Sequence, residues 1–328
     1  VAKLDNFSPI RYRVYLILQK KFMDYPHPDS EIPEKRTESS AWIILLCLIS
    51  LMFVGLIVGS LISFGVINAS GFDAVGFISS LSPESSPQER NLARWANLLP
   101  HLFAFSGGAV TAALIFFGRN WIQQLGLKVL PNWKMIGGGL LFMLGTFPFV
   151  QTTYWINQQL PLPAWMKEME FNANELVKII LRMDSPAELL LNLLTVGVVA
   201  AVGEELVFRG ILQQQLSRVI KQPILAIWIT AIVFSAIHLQ FAGFLPRMLL
   251  GVGLGYLFYW SKSLWLPILA HFIFNSLQVV IFYVLGDKAG QFSPDQPVDS
   301  PGWLGGIFGL ALMIGVGYYL SKLKKQQS

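Results

Sequence analysis

The sequence predicts an all-α, polytopic membrane protein of about eight transmembrane helices around an internal polar cavity. Three observations carry this. Of 328 residues, 54% are hydrophobic and 13% charged, where a soluble domain typically has about 25% charged. Mean hydropathy is +0.54, and apolar runs approaching the roughly 20 residues of a crossing helix recur along the chain. Finally, ionisable side chains are planted inside three of those runs, which is costly in a bilayer and marks function by default.

In chain order, spans are expected at about 41–67, 95–117, 135–156, 187–210, 223–240, 246–260, 264–285 and 303–320. The sixth is short and abuts its neighbours, so seven is the alternative count. Ahead of them, 9–22 reads as a basic amphipathic helix on the membrane surface and 24–40, with three Pro, as a linker. Together 1–40 form a cytosolic arm. A cleavable signal peptide is not expected, because the first apolar run is 27 residues long and follows mixed charge. Residues 41–184 form an N-terminal transmembrane region. Within it 68–90 reads as an exposed loop, and Met166 to Arg182 as an interfacial helix with Phe171, Leu176, Ile179 and Ile180 on its apolar side. Residues 185–285 form the core, and 286–328 a loop, the last span and a basic tail.

Gly107-Gly108, Gly137 to Gly139, and Gly251 with Gly255 read as close helix packing, since none has the strand context of a phosphate-binding loop. Cys47 is the single cysteine, so no intrachain disulfide forms and it reads as a small hydrophobe. No internal repeat is present. With the N-terminus in the cytosol, inner segments carry 16 Lys and Arg and outer loops 6, leaving aside Arg94 and Arg209. Both termini are therefore expected in the cytosol. These basic residues flank spans, where anionic lipid headgroups are the natural partners and nucleic acid is not.

The ionisable residues form three motifs: Glu204-Glu205-Leu-Val-Phe-Arg209, Phe234-Ser-Ala-Ile-His238 and His271-Phe-Ile-Phe-Asn275. Ser185-Pro186-Ala187-Glu188 reads as a capping box that starts the first motif's helix, which can run to about Ile220. Lys221-Gln222-Pro223 is then a turn. Glu204 precedes Lys221 by 17 residues and His238 follows it by 17, so an antiparallel hairpin sets the two at one height. Glu205 and Arg209, four apart with the acid first, should pair as a brace. Glu204, offset by about 100° around the helix, is left for chemistry. His271 and Asn275 share a helical face, and Phe234 lies one turn from His238. Gln213 to Gln215 and Arg218 are too polar for lipid, so this hairpin should protrude and the cavity open to the cytosol.

Two His and one Glu with a water form a catalytic zinc set, so Glu204, His238 and His271 are candidate ligands for zinc or another divalent metal. Without metal, Glu204 and His238 can activate water as a general base pair, with His271 and Asn275 on an oxyanion. His101 either adds a polar group to the cavity or makes an interhelical bond, and His27 is solvated. GxSxG and HExxH patterns are absent, which leaves serine-hydrolase and zincin readings unsupported.

The ordered pattern EExxxR, FxxxH, HxxxN resembles the CPBP intramembrane proteases, which group CAAX prenyl endopeptidases with bacteriocin-processing and self-immunity (Abi-like) proteins. The resemblance covers roughly 185–285. It implies an all-helical membrane domain in which Glu204 and His238 activate water, with His271 and Asn275 supporting the oxyanion or completing a metal site. The expected activity is endoproteolysis of membrane-associated proteins or peptides, prenylated CAAX-type tails among them. The alternative is a protease-like scaffold or bacteriocin-immunity factor that acts by binding. A proton-coupled transporter would show paired broken helices in two halves, and the sequence has no such symmetry.

Overall fold

The computed structural model describes residues 37–82, 84–286 and 302–327, and these contain helices and no strand. The surface helix expected at 9–22, most of the linker, His27 and nearly all of the 286–301 loop lie outside the described residues. The principal helices are α1 (Thr37–Ala69), α2 (Pro87–Gln124), α3 (Trp133–Gln158), α4 (Ala164–Leu181), α5 (Pro186–Ile220), α6 (Pro223–Ala236), α7 (Phe244–Ser261), α8 (Trp265–Leu285) and α9 (Trp303–Gln327). Each of the eight expected spans contains a helix, though the one expected at 223–240 is helical only to Ala236. Six of them, α1, α2, α3, α5, α8 and α9, are long and apolar enough to cross a membrane. α6 and α7 do not meet both conditions, so length and composition support six of the eight expected crossings. With 14 residues, α6 is about 21 Å long at 1.5 Å per residue, short of a hydrocarbon core of about 30 Å.

Local chemistry sets the helix boundaries. Ser86 Oγ accepts from the Glu89 N–H while Glu89 accepts from the Ser86 N–H, a complete capping box with Pro87 at the first position. The box expected at Ser185 is only half formed. Ser185 Oγ accepts from the Glu188 N–H at 3.3 Å, but the Glu188 carboxylate takes bonds from Arg90 and Arg94 instead. At the far end of α5 Lys221 adopts φ 58° and Pro223 starts α6, as the sequence predicts. The 68–90 segment is partly packed: Phe77 is buried with Ile67 and Leu92.

Small residues let the helices approach closely. A Cβ on Gly255 would lie 2.8 Å from Ile227 Cγ2, and one on Gly138 2.6 Å from Leu320. Pro100 lacks an N–H, which frees the Ala96 carbonyl within α2. Ser63 of α1 donates to that carbonyl at 3.2 Å.

The bundle has two distinct ends. At one, Leu45 of α1 packs on Leu216 of α5 and Ala226 of α6, Met135 clusters with Leu320 and Leu323, and the Trp265 indole donates to the Leu127 carbonyl. At the other, Arg90 and Arg94 of α2 close on Glu188 of α5 and Asp184. Here α4 lies against the first turns of α2: the Arg94 guanidinium donates to the Ile180 carbonyl at 3.0 Å and also to that of Arg182. On α4 Ile179 and Ile180 are buried, but Phe171, expected on the apolar side, is exposed.

Because α6 is short, the 237–243 loop stops inside the bundle rather than at its surface. Irregular backbone at membrane depth needs internal partners. Asn157 of α3 donates to the Phe241 and Ala242 carbonyls at 2.8 and 2.7 Å, and Glu170 of α4 accepts from the Ala242 N–H at 2.8 Å. Arg247 donates to Gln240 through backbone and side-chain oxygens.

Overpacking the α6–α7 contact should be expensive. Gly255→Leu is expected to lower stability by about 1–3 kcal/mol, seen as a lower unfolding temperature in detergent. Gly137→Leu, where a Cβ meets nothing within 4 Å, should leave it unchanged.

Candidate active site

The site is assembled around the middle of α5, where the helix is irregular. Wide π-helical turns at Leu193–Val199 and Leu206–Leu212 flank the regular segment Ala200–Glu205. Such turns re-aim side chains and recur at functional sites. The second contains Arg209; the first presents the Val196 carbonyl, to which Asn275 Nδ2 donates at 3.0 Å.

Glu205 and Arg209 are both fully buried. Arg209 Nη1 donates to Glu205 Oε1 at 2.6 Å, and Nη2 donates to the Gly251 carbonyl at 2.8 Å. The guanidinium also lies 5.0 Å from the centre of the Phe234 ring. His271 Nδ1 completes the cluster at 2.9 Å from the same Glu205 oxygen. A carboxylate accepts, so Nδ1 carries the proton and the His271 ring is fixed.

Glu204 faces the other way. Its Oε1 lies 3.2 Å from His101 Nε2 and its Oε2 3.7 Å from His271 Nε2. His101 reaches it because residue 203 is glycine: a Cβ there would lie 2.9 Å from Ser106 Oγ and 3.4 Å from His101 Cε1. The His101 ring stacks on Phe105 at 4.3 Å. His238 sits just past the end of α6, with Nδ1 2.8 Å from the Phe234 carbonyl. A carbonyl only accepts, so Nδ1 is the protonated nitrogen and Nε2 is the one that can take a proton. Phe234 packs edge-on against both His238 and His271, at 5.1 and 5.9 Å.

Two cavities meet at these residues. One of about 320 Å³ is walled by Val177, Ile180 and Leu181 of α4, Val196 of α5, and Val279 and Phe282 of α8. The other, about 110 Å³, lies toward Arg247 and Leu250. Glu204, His238, Asn275, Gln240 and Gln278 line both. The structure thus brings together all seven motif residues, though in two layers. Glu205 and Arg209 lie behind, Glu204, His238 and Asn275 face both cavities, and Phe234 lines the smaller one. His271 bridges the layers. The sequence reading gave no place to Asn97, Gln240 or Gln278, which also line the larger cavity. Each is a polar residue within or beside an apolar run, and that was the available signal.

A metal on Glu204, His238 and His271 would need their donors to converge on one point. Among the described residues, no three His, Cys, Asp or Glu side chains are so arranged that they could hold a metal ion. The donor chemistry of the three side chains is that of a zinc site. The position of the larger cavity bears on its expected opening. This cavity is lined by the first half of α2, by α4 and by the last turns of α8, at the end opposite residues 41 and 324. A cavity open to the cytosol and cytosolic termini therefore exclude one another.

Residues 186–277 match the family described as type II CAAX prenyl endopeptidase Rce1-like. The match falls within the segment that the three motifs mark out. A stretch of 108 residues is 26% identical to the uncharacterized protein YpbD of Bacillus subtilis (strain 168), covering 31% of this chain and 52% of that protein. The chain thus spans about half the length of that relative. No solved structure matches.

Removing one partner of the buried pair leaves the other uncompensated. Arg209→Ala is expected to cost about 3–5 kcal/mol, measured by thermal or denaturant unfolding. Arg209→Lys should not restore it, because one ammonium cannot replace the fork that spans Glu205 and Gly251.

Proposed function

We propose that this Rce1-like core is an intramembrane endopeptidase that hydrolyses peptide bonds of membrane-associated proteins or peptides with a water activated by Glu204 and His238. The observation that carries the reading is the meeting of these two side chains, from different helices, where two cavities join inside the bundle. The family is one of proteases. Prenylated CAAX-type tails are one substrate candidate.

In this mechanism the substrate's scissile carbonyl enters the larger cavity beside Asn275. Glu204 takes a proton from the water, and the resulting hydroxide oxygen bonds to the carbonyl carbon. Negative charge moves to the carbonyl oxygen, where Asn275 supplies a donor and His271 supplies a second through Nε2 when its ring carries both protons; such donors are most effective in a site shielded from bulk water. His238, with its Nδ1 proton held by the Phe234 carbonyl, orients the water through Nε2. Glu204 then gives the proton it took from the water to the leaving nitrogen as the C–N bond breaks. His101 holds one Glu204 oxygen and so fixes the carboxylate for this transfer. Glu205 and Arg209 take no proton; they position His271. No step here passes through a metal.

Glu204→Ala should fold as the wild type does and lose cleavage of membrane-tethered peptides by roughly 10²- to 10⁴-fold. Cleavage that survives the substitution would overturn the assignment. Cleavage by neither protein across a broad peptide panel would favour the scaffold reading. Cleavage abolished by exhaustive chelation and restored by Zn²⁺ would put a metal on Glu204, His238 and His271 in place of the unaided water. His101→Ala is expected to lower kcat with little change in KM, because it touches the base and not the cavity's apolar wall.

A further inference from the structure

The two ends of the bundle carry opposite charge. Between residues 41 and 324, the end at the Lys221 turn displays eight Lys and Arg, among them Arg119, Lys128, Arg218, Lys221 and Lys262, and no Asp or Glu among the described residues. At the α4 end the partly or fully exposed acids are Asp73, Glu84, Glu89, Glu168, Glu175 and Asp184, against Lys167, Lys178 and Arg182. The other cations there, Arg90, Arg94 and Arg247, are buried and hydrogen-bonded within the protein. Lys and Arg near span ends stay in the cytosol, so the Lys221 end is the cytosolic one.

The site lies far from that end. Glu204 and His238 each stand 17 residues from Lys221. Along α5 that is about 25 Å, most of the way across a core of about 30 Å. The cavity continues outward from there, past Asn97, Asn174 and Gln240, toward the acidic end. The polar tip of α5, Gln213 to Arg218, packs at the basic end and is separated from the cavity by the Glu205–Arg209 layer.

From charge and depth together we infer that the cavity opens on the non-cytosolic face. Its substrate is then a membrane-anchored protein or peptide whose scissile segment lies on that side. The word substrate rests on the function proposed above; the direction of opening does not. A protease so oriented acts on segments already moved across the membrane, and a cytosolic tail cannot reach it, which removes cytosolic prenylated tails from the substrate candidates.

The test is side-specific labelling of full-length protein in intact cells with a membrane-impermeant maleimide. In a Cys47→Ala background, Asn172→Cys reports on α4 and Gln222→Cys on the opposite turn; both positions are exposed. Ser70→Cys and Lys128→Cys form an independent pair should either of the first two variants misfold. Asn172→Cys and Ser70→Cys should label fully in intact cells, and Gln222→Cys and Lys128→Cys only after permeabilisation. The reverse pattern, or equal labelling at both ends, would overturn the inference. Labelling needs no catalysis, so an inactive protein labelled as expected would count against the proposed hydrolysis alone.

Discussion

One buried ion pair holds this protein's core together. Glu205 and Arg209 are inaccessible to solvent, and their contacts reach four helices. Both lie on α5; the guanidinium caps a carbonyl of α7 and lies against Phe234 of α6, and the carboxylate fixes His271 of α8. Charges taken out of water at such cost persist only when paired and hydrogen-bonded. Each helix that leaves this layer therefore has its rotation set, and Glu204, one residue earlier, is turned toward the cavities. The glycines follow from the same constraint. Gly251 must bring its backbone within reach of Arg209, and Gly203 must admit His101.

The cavity-facing motif residues depend on elements outside the segment 186–277. His238 sits at the head of a loop that ends inside the bundle, and its backbone groups are satisfied by Asn157 of α3 and Glu170 of α4. His101, on α2, holds a Glu204 oxygen. The segment from 186 to 277 carries the motif residues but cannot position them by itself. The Arg90, Arg94 and Glu188 cluster serves the same end, because it ties the first turns of α2 and α5 together beside the cavity.

Much of this was legible in the sequence where local chemistry decides. The Lys221 turn, the start of α5 at Pro186 and the Glu205–Arg209 pair follow from a proline, a cap and an i,i+4 spacing. Equal separation of Glu204 and His238 from the turn placed both at one cavity. What could not be read depends on distant partners. Glu188 fits a capping box, but two arginines nearly a hundred residues away outbid the Ser185 backbone for its carboxylate. The span expected at 223–240 is a 14-residue helix and a loop, because His238 to Gly243 finds partners on α3 and α4 that no local pattern reveals.

The central claim is that Glu204 and His238 act as one unit on a single water. The most direct measurement is a double-mutant cycle on kcat/KM for peptide cleavage, using Glu204→Ala, His238→Ala and the pair. Residues that share one step are strongly non-additive. The account predicts that His238→Ala costs nothing further once Glu204 is gone. Independent, multiplying losses would contradict it and require the two residues to serve separate steps.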